Sequence, residues 1–203
     1  GDRPPLLLLT SLPILFGEHF SLEEAGSPAV KALRTRYRVL PISVTSPDEL
    51  AKGRLLLMAH PRAQPAEDLV ALDDWVRGGG RVLLLADPML EWPSQRPLGD
   101  ALRPPPMFAD TGLLAHWGLR LDAPDERGEA KRRFAGYRVM TISPGALSGD
   151  CNVSRDRLVA RCAVGKGEAT IVADADLLNV TRVSSSSENL AALLAELASL
   201  EHG

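Results

Sequence analysis

Short uninterrupted apolar runs alternate along the chain with segments that have helical spacing. Pro5–Ser11, Arg54–Pro61 and Arg81–Pro88 have the length of strands and lack polar alternation, which is typical of strands buried on both faces. Tyr37–Ser43 is a fourth predicted strand, and Pro41 places its end near a sheet edge or a bend. The first half of the chain therefore predicts four strands.

Two segments between these strands have the pattern of amphipathic helices. Ser27–Arg36 begins with a capping Ser followed by Pro28, and Gln64–Gly80 carries Pro65 in its first turn with apolar residues along one face. Strand–helix–strand order with apolar strands is typical of right-handed parallel crossovers. We therefore expect an α/β fold: three layers, with a mainly parallel sheet between helices on both faces.

The second half of the chain is less regular. We expect it to begin with a Pro- and Gly-rich loop over 91–111, followed by a short helix stopped at Gly118 and then a strand. A polar excursion over Ala123–Ala135 precedes a β-rich hairpin extension over about 137–173, which has its turn at Gly165–Gly167. A C-terminal helix over about 187–200 follows Ser184–Ser187. Because no segment has the composition of a linker, we interpret 1–203 as a single domain.

Gly78, Gly79 and Gly80 suggest a phosphate-binding loop only at first sight. A phosphate cradle follows a strand and opens a helix, whereas these glycines follow a helix and precede a strand. Their spacing also matches neither GxGxxG nor GxxxxGK[ST]. The run is therefore interpreted as a helix stop.

Composition and charge narrow the choice of partners. With 45% hydrophobic and 24% charged residues, the chain has the balance of a globular protein. A net charge of −3 argues against nucleic acid as a partner, because phosphate binding needs a basic face. The basic run Lys131–Arg133 is interpreted as a solvated loop. Since no apolar run reaches about 20 residues, we expect membrane association only through an N-terminal segment removed from this sequence.

Cys151 and Cys162 flank a turn-like Ser-Arg-Asp-Arg segment. A hairpin would set them opposite one another within reach of a disulfide, which would indicate an oxidising compartment. Two reduced thiols that happen to be close remain the alternative, because strand register is not readable from sequence.

Polar residues that follow the predicted strands are the candidate ligand-binding residues. The carboxyl ends of parallel strands share one edge of a sheet, where sites of α/β proteins form. The candidates are Thr10, Ser11, His60 and Asp87, with Glu91 and Trp92 from the loop that follows. The alternative for Asp87 is that it caps the turn that begins at Pro88, which Asp-Pro does routinely.

Asp174 and Asp176 resemble a metal pair to which Asp87 would add a third carboxylate. Helix capping is the better-supported reading of the pair, because Asp174 stands between a strand and a Leu-Leu helix start. The sequence contains neither a Gly-x-Ser-x-Gly elbow nor a recognisable triad. We accordingly predict no catalytic residue and no cofactor.

Three blocks of the chain, taken in order, resemble one known family. They are the block from Arg54 to Ser94, with His-Pro after one strand and Asp-Pro after the next, the segment LLAHWGLRLD, and VGKGEATIVADADLLNV with the helix that follows. This order is similar to that of auxiliary, gliding-motility-type components of ABC transporters.

The resemblance implies a flavodoxin-like or class I glutamine amidotransferase-like domain without the catalytic Cys-His pair of amidotransferases. It further implies a periplasmic or membrane-anchored extracytoplasmic protein that binds a transporter permease or ATPase, another envelope protein or a small ligand. A cytoplasmic location is the alternative. The rival functional hypothesis is an amidotransferase-like enzyme or sugar-binding protein with its site at the strand ends.

Overall fold

The computed structural model describes residues 2–15, 26–183 and 188–203. Its strands are β1 (Pro5–Thr10), β2 (Arg38–Pro41), β3 (Leu55–Ala59), β4 (Arg81–Leu85), β5 (Leu119–Asp122), β6 (Glu129–Phe134), β7 (Tyr137–Ile142), β8 (Ala146–Gly149), β9 (Asn152–Val153), β10 (Val159–Val164) and β11 (Gly167–Val172). Its helices are α1 (Pro28–Arg34), α2 (Pro47–Leu50), α3 (Ala66–Arg77), α4 (Leu113–His116) and α5 (Asn189–His202). Asp176–Leu178 forms a 3-10 turn.

The central sheet has seven strands in the order β2-β1-β3-β4-β11-β10-β9. The strands from β2 to β11 are parallel, and the last two pairs are antiparallel. The structure confirms an α/β fold with a mixed sheet, and the expected edge position of β2 is confirmed as well. The sheet is buried because its central strands are apolar throughout, as in Leu55–Ala59.

Helices cover the sheet in two groups. The chain moves to one side from β1 to β2 and to the other side from β2 through β4, so right-handed crossovers place α1 on the face opposite α2 and α3. Consistent with this, α5 packs on α1 and on β3 and β4, while α2 packs on α3.

The three glycines that follow α3 form a Schellman helix end. Gly79 has a φ of 120°, and its N–H donates to the carbonyl of Val76, while the N–H of Gly80 donates to the carbonyl of Trp75. The interpretation of this run as a helix stop is confirmed.

One expectation about the second half is wrong. The polar excursion over Ala123–Ala135 contains β6, which pairs with β7, so Lys131–Arg133 lies on a strand and not in a loop. The missed signal is Ala135–Gly136, a two-residue turn with φ values of 52° and 84° that joins two strands directly.

The predicted β-rich extension is only partly separate from the sheet. The hairpin of β10 and β11 belongs to the central sheet, because the apolar residues of β11 pair in parallel with β4. The small separate sheets are instead β5 with β8 and β6 with β7. Helix α2, capped by the side chain of Ser46, was not predicted, and Ser184–Ser187 lie outside the described residues.

Candidate functional site

Three aspartates meet where β4 and β11 end. Leu85 pairs with Val172 across these two parallel strands, and Asp87 and Asp174 each follow two residues later, so they emerge side by side. Asp176 begins the 3-10 turn after β11. All three side chains are fully buried, and one carboxylate oxygen from each lies within 4.8 Å of the others. We call this set the carboxylate cluster.

Backbone N–H groups hold two of these carboxylates in place. Asp87 accepts hydrogen bonds from Met89 at 2.8 Å and from Ala175 at 2.9 Å. Asp174 accepts from Leu177 at 2.9 Å and from Ile142 at 3.2 Å. The bond from Met89 is the turn cap that the sequence allows for Asp87, whereas the bond from Leu177 ties Asp174 to a 3-10 turn whose N-cap position is Ala175.

Asp176 is held less completely. Its Oδ2 accepts the N–H of Glu91 at 2.9 Å, whereas its buried Oδ1 accepts no hydrogen bond from the described residues. The Glu91 carboxylate accepts the hydroxyl of Ser143 at 2.6 Å and lies 3.3 Å from the Arg127 guanidinium. Arg182 donates to the carbonyl of Glu91. Glu91 therefore contacts the cluster through its backbone N–H and the exposed Arg127 through its carboxylate.

Burial raises the pKa of each carboxyl group in the cluster, and neighbouring carboxylates add to the shift at Asp87 and Asp174. Burial, followed by the charge of Asp176, raises the pKa of Asp87 to about 8. Burial raises the pKa of Asp176 to about 6 and, with the charges of its two neighbours, raises the pKa of Asp174 well above its usual value. The hydrogen bond from Ser143 lowers the pKa of Glu91. The charge of Arg182 opposes the shift at Asp176, whereas no positive charge is among the causes at Asp87 and Asp174.

The Pro- and Gly-rich loop covers this edge of the sheet. Its Phe108 N–H donates to the carbonyl of Asp87 at 2.8 Å, and Leu90 donates to Pro106 at 2.9 Å. The carbonyl of Pro105 lies 2.8 Å from Nε2 of His60. As expected, the described structure of 91–111 contains neither helix nor strand.

The remaining sequence candidates lie mainly at the ends of β1 and β3. The hydroxyls of Thr10 and Ser11 donate to the carbonyls of Ala59 and His60, at 2.7 and 2.5 Å. His60 is fully buried and has a φ of 50°, and its Nδ1 has no hydrogen-bond partner among the described residues. Trp92 packs against the core. The six candidates thus fall into two groups, and their role in ligand binding stays a prediction.

Sequence reasoning missed two buried polar residues near the cluster. Ser143 has a φ of 47° and is fully buried, and its hydroxyl bridges Glu91 and the N–H of Gly128. Asn189, at the start of α5, exchanges hydrogen bonds of 2.9 and 3.0 Å with the backbone of Met140. The only local signal for Ser143 is Ser-Pro-Gly directly after a strand.

The two cysteines form a disulfide in the structure. Asn152 pairs with Arg161 across β9 and β10, and the next residues outward are Cys151 and Cys162, whose Cα atoms are 4.9 Å apart. Of the two alternatives for the cysteines, the structure therefore has the disulfide.

An apolar groove of about 630 Å³ lies between α2 and α3, away from the carboxylate cluster. Leu50, Ala51 and Val70 line the groove, and Val70 is 60% exposed. Carboxylates of Glu67, Asp68 and Asp74 line it as well. Among the described helices, none is long and apolar enough to cross a bilayer.

Residues 3–125, more than half of the chain, match a family described as an ABC-type uncharacterized transport system. The chain belongs to this family. It is therefore an auxiliary protein associated with an ABC transport system. No curated protein is significantly similar to it in sequence.

Solved structures similar to this ABC-transport auxiliary protein show the fold alone, because their identities are low. The N-terminal domain of mmIFT52 matches with a TM-score of 0.62 and 15% identity, covering 98% of both chains. The cytoplasmic protein STM3548 from Salmonella typhimurium matches with a TM-score of 0.57 and 9% identity, covering 96% of this chain and 98% of that chain.

Exo-beta-1,4-mannosidase Op5Man5 from Opitutaceae bacterium strain TAV5 matches with a TM-score of 0.59 and 14% identity. The match covers 96% of this chain but 36% of the mannosidase. The present chain therefore spans about a third of that enzyme's length.

Proposed function

We propose that this chain is a non-catalytic, extracytoplasmic accessory domain that binds the membrane-embedded permease of its ABC transport system. Family membership supports the link to transport. The disulfide between Cys151 and Cys162 supports an oxidising compartment, because such bonds are rare in reducing cytoplasm. The strand order β2-β1-β3-β4-β11 supports a flavodoxin-like or amidotransferase-like sheet.

The proposal that the domain is non-catalytic rests on one observation: the polar side chains at the carboxyl ends of the strands are hydrogen-bonded to the backbone. Enzymes with this kind of sheet keep their sites in a crevice at that edge. Here Asp87 and Asp174 accept backbone N–H groups, and His60 is buried beneath Pro105. Such contacts favour a structural role for these side chains.

The groove between α2 and α3 is the surface that we propose for the permease. The groove offers a contiguous apolar surface that includes Leu50, Val70 and Ala71, and a surface of this kind is typical of an interaction site. The carboxylates of Glu67 and Asp74 beside it favour a basic partner. We therefore infer that an amphipathic helix of the permease, apolar on one face and flanked by Lys or Arg, occupies this groove.

Co-purification tests this proposal. Tagged chain expressed in its native host is isolated from detergent-solubilised membranes, in the wild-type form and as Val70→Arg. The wild-type protein is expected to recover the permease with its ATPase, whereas Val70→Arg recovers at least 10-fold less because it places a charge in the apolar groove. Leu98→Arg, at an exposed loop position, is the matched control and behaves as wild type. Equal recovery by all three proteins, or none by the wild type, contradicts the proposal.

A further inference from the structure

The carboxylate cluster has an unusual charge balance. When ionised, its three side chains carry three negative charges in a fully buried place. None of the ion pairs formed by residues 2–15, 26–183 and 188–203 includes Asp87, Asp174 or Asp176. Buried charges are ordinarily paired or bound to a metal.

Backbone donors stabilise the cluster but leave one acceptor unfilled. Asp87 and Asp174 use both carboxylate oxygens to accept N–H groups. Asp176 uses Oδ2 only, and its buried Oδ1 has no donor among the residues that the structure describes. The Asp176 side chain also lies within hydrogen-bond reach of the Asp87 carboxyl, so the two carboxylates repel one another unless a proton or a cation lies between them. A buried acceptor without a partner calls for a bound species.

We propose that Asp87, Asp174 and Asp176 bind one hard divalent cation, of the class of Ca²⁺ or Mg²⁺. The donor atoms are oxygen only, which favours hard cations over Zn²⁺. Such ions bind oxygen at roughly 2.0–2.6 Å, so ligands on opposite sides of one ion are about 4–5 Å apart. The observed limit of 4.8 Å between the ligand oxygens fits that spacing.

The cation fastens the covering loop to the sheet. Asp87 lies just before the loop, and its carbonyl accepts the N–H of Phe108 near the loop's end, while Asp176 accepts the N–H of Glu91, the first loop residue. Asp174 anchors the site on the side of β7 by accepting the N–H of Ile142. One ion therefore ties together β4, β11 and both ends of the loop, so its removal should loosen residues 91–108 first.

Calorimetry on EDTA-treated, dialysed protein at pH 7.5 tests the site, with CaCl₂, MgCl₂ and MnCl₂ as separate titrants. We expect one ion per chain for at least one of them, together with slower chymotryptic cleavage of the 91–108 loop at the exposed Leu98 and Leu102. Asp176→Asn should fold, since its amide can donate to the neighbouring carboxylate, but should bind the ion at least 10-fold more weakly. Asp156→Asn, on a surface turn, is the control and should bind as wild type.

Absence of binding heat and of any change in cleavage with all three salts at millimolar concentration overturns the proposal. So does equal binding by wild type and Asp176→Asn, which would place the ion elsewhere. Both measurements on the wild-type chain are independent of whether any variant folds, and neither depends on the permease.

Discussion

The indole ring of Trp75 lies so close to Gly80 that a Cβ atom on this glycine would be 2.4 Å from the ring. The Schellman end of α3 therefore needs glycine at its third position because of packing, whereas Gly79 is needed for its positive φ. At Gly78, by contrast, a Cβ would meet its nearest neighbour, the carbonyl oxygen of Asp74, at 3.4 Å, an ordinary contact.

Gly80→Ala should accordingly destabilise the protein by about 1–3 kcal/mol, the usual range for overpacking a core position. Gly78→Ala is the matched control and should change the free energy of unfolding by less than about 0.5 kcal/mol. Urea denaturation of both variants measures the difference. Equal stabilities would show that the ring moves away freely.

Asn189→Ala should be among the more damaging single substitutions in α5. It removes the partners of the Met140 N–H and carbonyl and of the Leu177 carbonyl, all in a buried place. Leaving buried polar groups unsatisfied costs about 1–3 kcal/mol each when no water replaces the bond. We expect a loss of about 3 kcal/mol in urea denaturation, against less than about 0.5 kcal/mol for the exposed Asn152→Ala. A small effect of Asn189→Ala would show that water enters the site.

The disulfide should contribute measurably to stability. The disulfide joins cysteines that are 11 positions apart in the sequence and so lowers the entropy of the unfolded chain. For a closed loop of this size, the resulting gain in the free energy of unfolding is roughly 3 kcal/mol. Cys151→Ser combined with Cys162→Ser should therefore lower the free energy of unfolding by about that amount. Thiol titration of unfolded protein isolated from its native compartment should find no free thiol. Two free thiols there would remove the support for an extracytoplasmic location.

His60 should make the protein less stable in mild acid. Burial lowers the pKa of His60 below its usual 6.5. Its contribution to stability is then fully present above about pH 6.5 and is lost as the pH falls, because the unfolded chain takes up the proton first. Asparagine tolerates the φ of 50° at this position. His60→Asn should therefore reduce the slope of the free energy of unfolding against pH, below pH 6.5, by up to about 1.4 kcal/mol per pH unit. Identical slopes for both proteins would contradict a neutral buried His60.

The sequence predicts the central strands well because burial on both faces leaves one visible signature, an unbroken apolar run such as Leu55–Ala59. Strand β6 lacks this signature: Lys131 and Arg133 are exposed, and pairing with β7 alone defines the strand. Its evidence is therefore non-local, apart from the turn at Ala135–Gly136.

The candidate site was only partly predictable for a similar reason. A common edge for Asp87 and Asp174 follows from parallel strands, but their adjacency depends on β11 lying beside β4, although the two are far apart in sequence. The contribution of Ser143 depends on the same long-range arrangement, since its partner Glu91 lies in a different loop. Local patterns identify the strand ends, and the order of strands in the sheet decides which of them meet.

Site-specific photo-crosslinking in intact cells of the native host tests most directly whether the α2–α3 groove binds the permease. A photoreactive phenylalanine derivative replaces Val70 in the α2–α3 groove, and Leu98 in the covering loop serves as the comparison position. If the permease occupies the groove, mass spectrometry identifies the permease of the ABC system as the main product from position 70, with at least 10-fold less from position 98. No permease product, or equal yields from both positions, would contradict binding of the permease in the groove.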